Sequence, residues 1–345
     1  MALNVSTGTP GAASPSAGTH PAHHKYYEKK FCEALQPAEL YGMFGDQVAI
    51  EANSSNTIVK TKMSELASVE DSPLTEGVTP TEKVLSETRI EKSVDQYGDY
   101  MRTTDRLSEE GLNGVTIQFS KRLGQQAGRT LNRIRRNGLL GGTNARFQNA
   151  AANANAITAA ASSANMVTDY NYMRDAFRLA HVKPLKGLTN GSTNIGTTPT
   201  ASAYVAIVPV EAVDIIEQMD DGNGNTFKQV ETYSGQTTLF HDNEFGRFKN
   251  FRFIYDTEVK TSANSAGTPQ TIAQCLIFGT GVEDKPYCTV NLAGGNLQTI
   301  TKPLGSSGSE DPLNQRASMG WKAKLATFIY QDLYMFRHEI SLGDA

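Results

Sequence analysis

No run of apolar residues in this sequence approaches the roughly 18 that a membrane-spanning helix needs. The first eight residues, Met1 to Gly8, carry neither a basic stretch nor an apolar one. A secretory leader is therefore not expected, and the chain should be made and kept in the cytoplasm. Cysteine is scarce, with only Cys32, Cys275 and Cys288. Three scattered thiols cannot form a disulfide framework or a closed zinc site, whose ligands come in close pairs, so they are expected to be reduced and mostly buried.

Signatures of chemistry are missing as well. There is no P-loop Gly-Lys-Ser/Thr, no Gly-x-Ser-x-Gly elbow and no His-Glu-x-x-His helix. Gly279-Thr280-Gly281 lacks the third glycine and the following helix of a dinucleotide site. Asp221-Gly222-Asn223-Gly224-Asn225 begins like a calcium loop. It has Thr226 where the sixth position demands glycine and no glutamate at the twelfth, so a plain turn is expected. His20, His23 and His24 lie in a segment without groups to orient them, which argues against a metal site. Neither a cofactor nor a metal is expected, and an enzyme with an unrecognised site is the weaker reading.

What the chain does have is length and segregated charge. Its 345 residues suffice for about two domains. Residues 51–110 hold 13 acidic and 7 basic side chains, a net of -6; residues 111–186 hold 11 basic and 2 acidic, a net of +9. Such a chain can dock its acidic part on the basic part of a neighbour, or turn the basic part toward nucleic acid.

Residues 1–24 form a low-complexity arm expected to be disordered. Period-two alternation over 57–63 and 88–94, separated by a polar stretch from Val69 to Glu82 with Pro73, Gly77 and Pro80, predicts two antiparallel strands joined by a mobile tip. A hairpin of that kind needs another surface to lie on. Leu112, Val115, Phe119, Leu123, Ala127, Leu131 and Ile134 recur at helical spacing and predict a helix over about 112–137, stopped by Asn137-Gly138. Beside that apolar face Arg122, Arg129, Arg133 and Arg136 form a basic row. It would serve inter-subunit salt bridges, a solvated face or phosphate-directed nucleic-acid contact, and basic residues near a helix C-terminus also suit its dipole.

The Ala- and Asn-rich stretch 141–167 reads as either a helix or a long loop. A second helix is expected over 168–181, with Tyr172, Met173, Phe177, Leu179 and Ala180 as its apolar positions. Strands are expected at 203–208, 248–259, 272–278 and 286–292, with a long one inside 318–338, and Pro209 opens a short helix. Strands and helices out of simple alternation point to the α+β class.

Four stretches carry a resemblance to a known family. They are Gln96-Tyr97-Gly98-Asp99-Tyr100-Met101-Arg102-Thr103-Thr104-Asp105-Arg106-Leu107, Tyr204-Val205-Ala206-Ile207-Val208-Pro209, the run from Asn243 to Ile254, and the run from Asp311 to Lys322. Together with the order of arm, hairpin, long helix and mixed region, they resemble the major capsid proteins of tailed bacteriophages with the Hong Kong 97 (HK97-like) fold, and within them the N4-like phages. Asn243 and Asn250 depart from the glycines of that pattern, and 141–167 matches nothing in it.

The resemblance implies an N-terminal arm over 1–49, an E-loop hairpin and following strand over 50–104, and a P-domain spine helix with its following loop and helix over 105–200. An A-domain with P-domain strands would occupy 201–310, and a C-terminal P-domain strand 311–345. It further implies self-assembly, as a homo-oligomer of hexamers and pentamers, into an icosahedral shell around packaged double-stranded DNA held by non-specific contact. Portal, scaffolding and decoration proteins would be partners, with no membrane involved, and the chain would end in the virion after synthesis in a bacterial host. A virion-stabilising disulfide is the alternative use of the cysteines. The E-loop, carrying Lys60, Lys62, Glu70, Asp71, Glu76 and Lys83, would lie across a neighbour's spine helix without any implied covalent crosslink. A tail, fibre or surface-layer component is the structural alternative.

Overall fold

The computed structural model describes residues 29, 31, 40–50, 56–63, 76–79, 82–106, 115–185, 202–232, 241–265, 268–281, 285–292, 297–306 and 313–344. The arm 1–24 with its histidines, Cys32, and the tip acids Glu70 and Asp71 lie outside the described residues.

Two sheets, each backed by a helix, organise the chain, and the α+β class expected from the sequence is what forms. The first sheet is built around β14 (Arg316–Ile329), the longest strand. Along one edge it pairs antiparallel with β4 (Asp95–Thr104), from Arg316 opposite Thr104 to Leu325 opposite Asp95. Its other edge is shared by β13 (Gln298–Lys302) and β12 (Tyr287–Leu292), and β1 (Asp46–Ile50) runs parallel to β12.

Helix α1 (Val115–Leu139), about 38 Å long at 1.5 Å per residue, lies on one face of this sheet. The helical repeat puts Leu123, Ala127 and Leu131 on one stripe, and they pack on Met319, Trp321, Ala323 and Leu325 of β14, with Phe31 sealing the cluster. Each such leucine contributes about 1.5–3 kcal/mol by leaving water. Alternation on β14 sends these residues to the helix side and Ser318, Gly320 and Lys322 to the opposite face.

The second sheet runs β5 (Ala145–Phe147), β15 (Met335–Asp344), β11 (Gln270–Phe278), β6 (Tyr204–Pro209), β9 (Phe251–Asp256), β8 (Glu244–Phe248) and β7 (Lys228–Gln229), with β10 (Thr261–Ala263) also on β11. Pairs β6–β9 and β5–β15 are parallel; the others are antiparallel. Helix α2 (Ser163–Leu179) covers it, burying Met166, Tyr170, Met173 and Phe177 completely. Tyr170 meets Phe251 and Phe253 edge-on at 5.1 Å, and Phe177 meets Phe336 at 5.0 Å, the offset geometry that aromatic quadrupoles favour. A short helix α3 (Val213–Glu217) follows β6. The third sheet is the hairpin of β2 (Thr57–Met63) and β3 (Glu87–Ser93).

Several expected elements are placed differently. Helix α1 runs two residues past Asn137, so Asn137-Gly138 is not its stop. Gly138 serves packing instead, because a Cβ there would stand 2.8 Å from the Thr327 carbonyl. The Ala/Asn-rich stretch is neither one helix nor one loop: β5, two 3₁₀ turns and the first part of α2 divide it. Helix α2 begins at Ser163 because the Ser162 side chain caps it by accepting from the amide of Asn165. Of its expected apolar positions Met173 and Phe177 are buried, whereas Tyr172 and Leu179 are exposed, at 53 and 83 %.

Of the expected strand 248–259, Phe248 ends β8, the chain turns at Lys249 with φ 51°, and β9 takes up Phe251–Asp256. The long strand expected within 318–338 forms as β14, and the last residues of that span open a second strand. A turn at Asp332–Tyr334 carries the chain from the first sheet into the second, where β15 lies between β5 and β11. Among the described residues no helix is long and apolar enough to cross a membrane.

Candidate assembly interface

Among the described residues, the hairpin of β2 and β3 is held to the rest of the chain at its base. The even positions of β2 face inward: Ile58, with Ile90 of β3, packs on a small core of Ile50, Val94, Val290, Phe328 and Tyr330. Lys60 reaches into the same place. Its Nζ lies 3.0 Å from Asp46 Oδ2, 3.3 Å from Cys288 Sγ and 4.3 Å from the centre of the Tyr330 ring. Burial works to depress the Lys60 pKa, but the hydrogen bonds to Asp46 and Cys288 outweigh it and hold the ammonium above its ordinary value. The Tyr330 hydroxyl completes the clasp by donating to the Thr61 carbonyl at 3.1 Å.

Away from this base the apolar side chains among the described residues are uncovered. Val59, Met63, Val78, Val84 and Leu85 are all exposed, Val84 by 82 %. Glu76, Glu82, Lys83, Glu87 and Glu91 are exposed around them, and Lys62 is half-buried on the inward face. A two-stranded ribbon with this much bare apolar surface is stable only against a further surface.

The basic row splits in two. Arg133 donates from Nε to the Glu258 carboxylate, and Arg136 donates to the Glu258 backbone carbonyl and to Asn137 Oδ1. These two guanidiniums tie α1 to the loop after β9. Arg122 and Arg129 are exposed, and Arg122 donates to the neighbouring Gln125 Oε1 at 3.4 Å. Lys121 is exposed beside them, and the helix carries no acidic residue at all. One arginine of the segment, Arg135, points the other way and is 3 % exposed against Gly42.

On the far side of the first sheet from α1 lies a cleft of about 510 Å³. Gly98 and Gly320 form its floor. Tyr100 and Ile300, exposed by 58 and 41 %, give it apolar surface, while Arg102, Lys302 and Arg316 make its rim basic. Arg102 stacks over the Tyr100 ring at 5.3 Å. Gly320 is required here: a Cβ would meet the Cβ of Tyr100, its cross-strand partner, at 2.8 Å.

The segment 40–45 ahead of β1 is fastened to α1 and to the first sheet by contacts that no motif announces. Asn132 of α1 accepts from the amides of Leu40 and Tyr41 at 2.9 and 3.0 Å. The Tyr287 hydroxyl donates to the Tyr41 carbonyl, and Lys285 Nζ to the Gly45 carbonyl at 3.0 Å. Nothing in the sequence pattern singled out Asn132, whose neighbours at helical spacing are Gly128, Arg129, Arg135 and Arg136.

Elsewhere the reactive residue types are committed to structure. Asp221 is held by the amides of Asn223 and Asn225, by the Asn225 side chain and by Lys249 Nζ at 2.8 Å, which depresses its pKa. The loop is therefore a turn closed on a lysine. Asp169, fully buried, binds Arg146, the Asn149 amide and His338, the last at 3.3 Å. Cys275 is buried and unpaired, its thiol pushed up by burial.

No family model and no curated protein matches the sequence. Solved structures do match it, over nearly its whole length. The capsid of Ralstonia phage GP4 superposes with a TM-score of 0.64 at 11 % identity, covering 88 % of this chain and 89 % of that one. The acid-stable capsid of Helicobacter pylori bacteriophage KHP30 gives 0.57 at 10 %, covering 89 and 90 %. The capsid of cyanophage P-SCSP1u gives 0.55 at 11 %, covering 87 % of each. The fold is thus that of phage capsid subunits, the HK97-like fold.

Proposed function

We propose that this chain is the major capsid protein of a tailed bacteriophage. Copies of it close, as hexamers and pentamers, into an icosahedral shell around double-stranded DNA. The observation that carries the reading is the hairpin, fastened by Ile58, Lys60 and Ile90 and otherwise presenting Met63, Val84 and Leu85 to solvent. A second copy supplies the missing surface, and point-group closure of such head-to-tail contacts makes a shell.

The seat of the hairpin is the cleft on the sheet, not the spine helix. The apolar stripe of α1 is already covered by its own sheet, whereas Tyr100 and Ile300 are bare and rimmed by Arg102, Lys302 and Arg316. Glu76 and Glu82 on the hairpin complement that rim. The exposed arginines of α1, Arg122 and Arg129, with Lys121 and no acid on the helix, favour a separate role in contacting DNA phosphates without regard to sequence. The resemblance to N4-like phages, the virion location and the portal, scaffolding and decoration partners belong to the same proposal. No catalytic role is part of it.

Expression of the chain alone followed by negative-stain electron microscopy tests the reading. Closed shells or capsomers are expected. A protein that stays monomeric at high concentration, with or without the hairpin residues intact, overturns it.

A further inference from the structure

The clasp at the base of the hairpin holds a primary amine directly against a thiol. Lys60 Nζ donates to Cys288 Sγ at 3.3 Å, across 228 residues of sequence. Asp46, which pairs with Cys288 across the parallel strands β1 and β12, places its carboxylate 3.0 Å from the same amine. Cys288 is fully buried, while the Lys60 side chain is 27 % exposed and opens the site to solvent. The Tyr330 ring, 4.3 Å from Nζ, limits its movement away from the sulfur. Cys275, buried within β11 of the second sheet, has no amine in hydrogen-bond contact among the described residues, so the arrangement is particular to one of the two described thiols.

We infer that Lys60 and Cys288 are an oxidative crosslinking site, closed by a peroxide-class oxidant into a covalent sulfur–nitrogen bond. In the first step the thiolate attacks hydrogen peroxide, giving the sulfenic acid and, after proton uptake, one water. The cationic Nζ is the kind of neighbour that favours a thiolate. In the second step the Lys60 ammonium first gives up a proton by way of Asp46, and the neutral amine nitrogen then attacks the oxidised sulfur. The N–S bond forms and the S–O bond breaks. A second proton of the nitrogen leaves with the hydroxide as water, and the first passes from Asp46 to solvent. Sulfur has been oxidised by two electrons and peroxide reduced to two waters; the neutral product is the sum of the two side chains less two hydrogens.

The consequence is mechanical. The bond joins β2 of the hairpin to β12 of the first sheet, so the angle at which the hairpin leaves the subunit becomes fixed. Thiols stay reduced in a cytosol and meet oxidants outside it. On the shell reading, the lock would therefore close after particles are released. The crosslink itself requires no shell.

The test is peroxide treatment of the purified chain, then proteolysis under non-reducing conditions and mass spectrometry. The expected product is a branched peptide joining the Lys60 and Cys288 segments, lighter than their sum by two hydrogens and released by dithiothreitol. The oxidised protein should melt several degrees higher than the untreated one. Lys60→Arg keeps the cation and removes the primary amine: its Cys288 should go on to sulfinic acid with no branched peptide. Cys288→Ser should give neither product and retain the wild-type circular dichroism spectrum. Oxidation of Cys288 in the wild-type chain without a link to Lys60, or a Cys288 inert to peroxide in the folded protein, overturns the inference. Because the readout is a peptide mass, failure to assemble would not mimic either result.

Discussion

Arg133 holds the carboxylate of Glu258, so the third arginine of the basic row is engaged within its own chain before any partner arrives. Arg122 and Arg129, on the same helix, remain exposed. The row therefore has two functions that substitution separates. Arg133→Glu places like charges together and should lower stability modestly, by about 0.2–1 kcal/mol for so exposed a pair, visible as a small drop in the denaturant midpoint. Arg122→Glu with Arg129→Glu should leave that midpoint unchanged. If the exposed pair serves DNA, shells of this double variant form but retain less DNA, and the deficit relative to wild type narrows as salt is raised, because fewer phosphate contacts give a shallower salt dependence. If shells themselves fail, the pair serves assembly instead.

The hairpin makes the opposite test, in which stability is spared and association is lost. Met63, Val84 and Leu85 are exposed in the single chain, so changing each to Asp touches no buried contact. Surface changes of this kind stay within about ±0.5 kcal/mol. Thermal unfolding of the triple variant should therefore match wild type, while size-exclusion chromatography and microscopy should show only small species. An unchanged yield of shells would remove the hairpin from the interface.

Gly138 offers a check on packing. Alanine is the better helix former by about 1 kcal/mol, yet its Cβ would stand 2.8 Å from the Thr327 carbonyl. Overpacking of this sort costs about 1–3 kcal/mol, so Gly138→Ala should destabilise the chain despite the gain in propensity. A rise in melting temperature would show that α1 can lift off the sheet without penalty.

The buried Asp169 sets an acid limit. Burial alone would raise its pKa, but His338, the Asn149 amide and Arg146 together hold it below the ordinary carboxylate value. A depressed folded value means that the stabilisation is complete above the unfolded pKa, near 3.9, and is lost as pH falls through the folded one. Asp169→Asn leaves Arg146 and His338 without their anion and should cost about 3–5 kcal/mol at neutral pH. Its unfolding free energy should also fall less steeply than wild type below about pH 4. Equal slopes for the two proteins, measured by urea titration at several pH values, would exclude Asp169 as the group responsible.

The parts legible in the sequence are those where one side chain pattern meets one surface. The stripe Leu123, Ala127, Leu131 announced α1, and alternation over 57–63 announced β2 and its inward Ile58. Illegible were features fixed by the partner strand or helix. Gly138 looked like a helix stop because its reason, the Thr327 carbonyl, lies 189 positions further along the chain. The span 318–338 holds the expected long strand, β14, and also the start of β15, because Gln331 to Tyr334 carries the chain between sheets and nothing in an apolar run marks which sheet it will join. The cleft was hidden for the same reason. Arg102, Ile300 and Arg316 are remote in sequence and are brought together only by the register of β4 and β13 on β14.

That register makes the strongest test of how copies meet. Arg102, Lys302 and Arg316 rim the cleft, and Glu76 and Glu82 stand exposed on the hairpin. If hairpin and cleft are partners, Arg102→Glu with Lys302→Glu should abolish shells, since like charges across an interface cost several kcal/mol. Glu76→Lys with Glu82→Lys should do the same from the other side. Combined in one chain, the four changes exchange the signs and should restore a substantial fraction of the assembly. The single-chain stability of all three variants should stay close to wild type, because every altered side chain lies at the surface. Assembly of the wild type should weaken as ionic strength rises past the point where the Debye length falls below about 8 Å. Rescue by the combined variant is the outcome that distinguishes a direct contact from two independent lesions: variants that each block assembly without mutual rescue would place the hairpin on a surface other than this cleft.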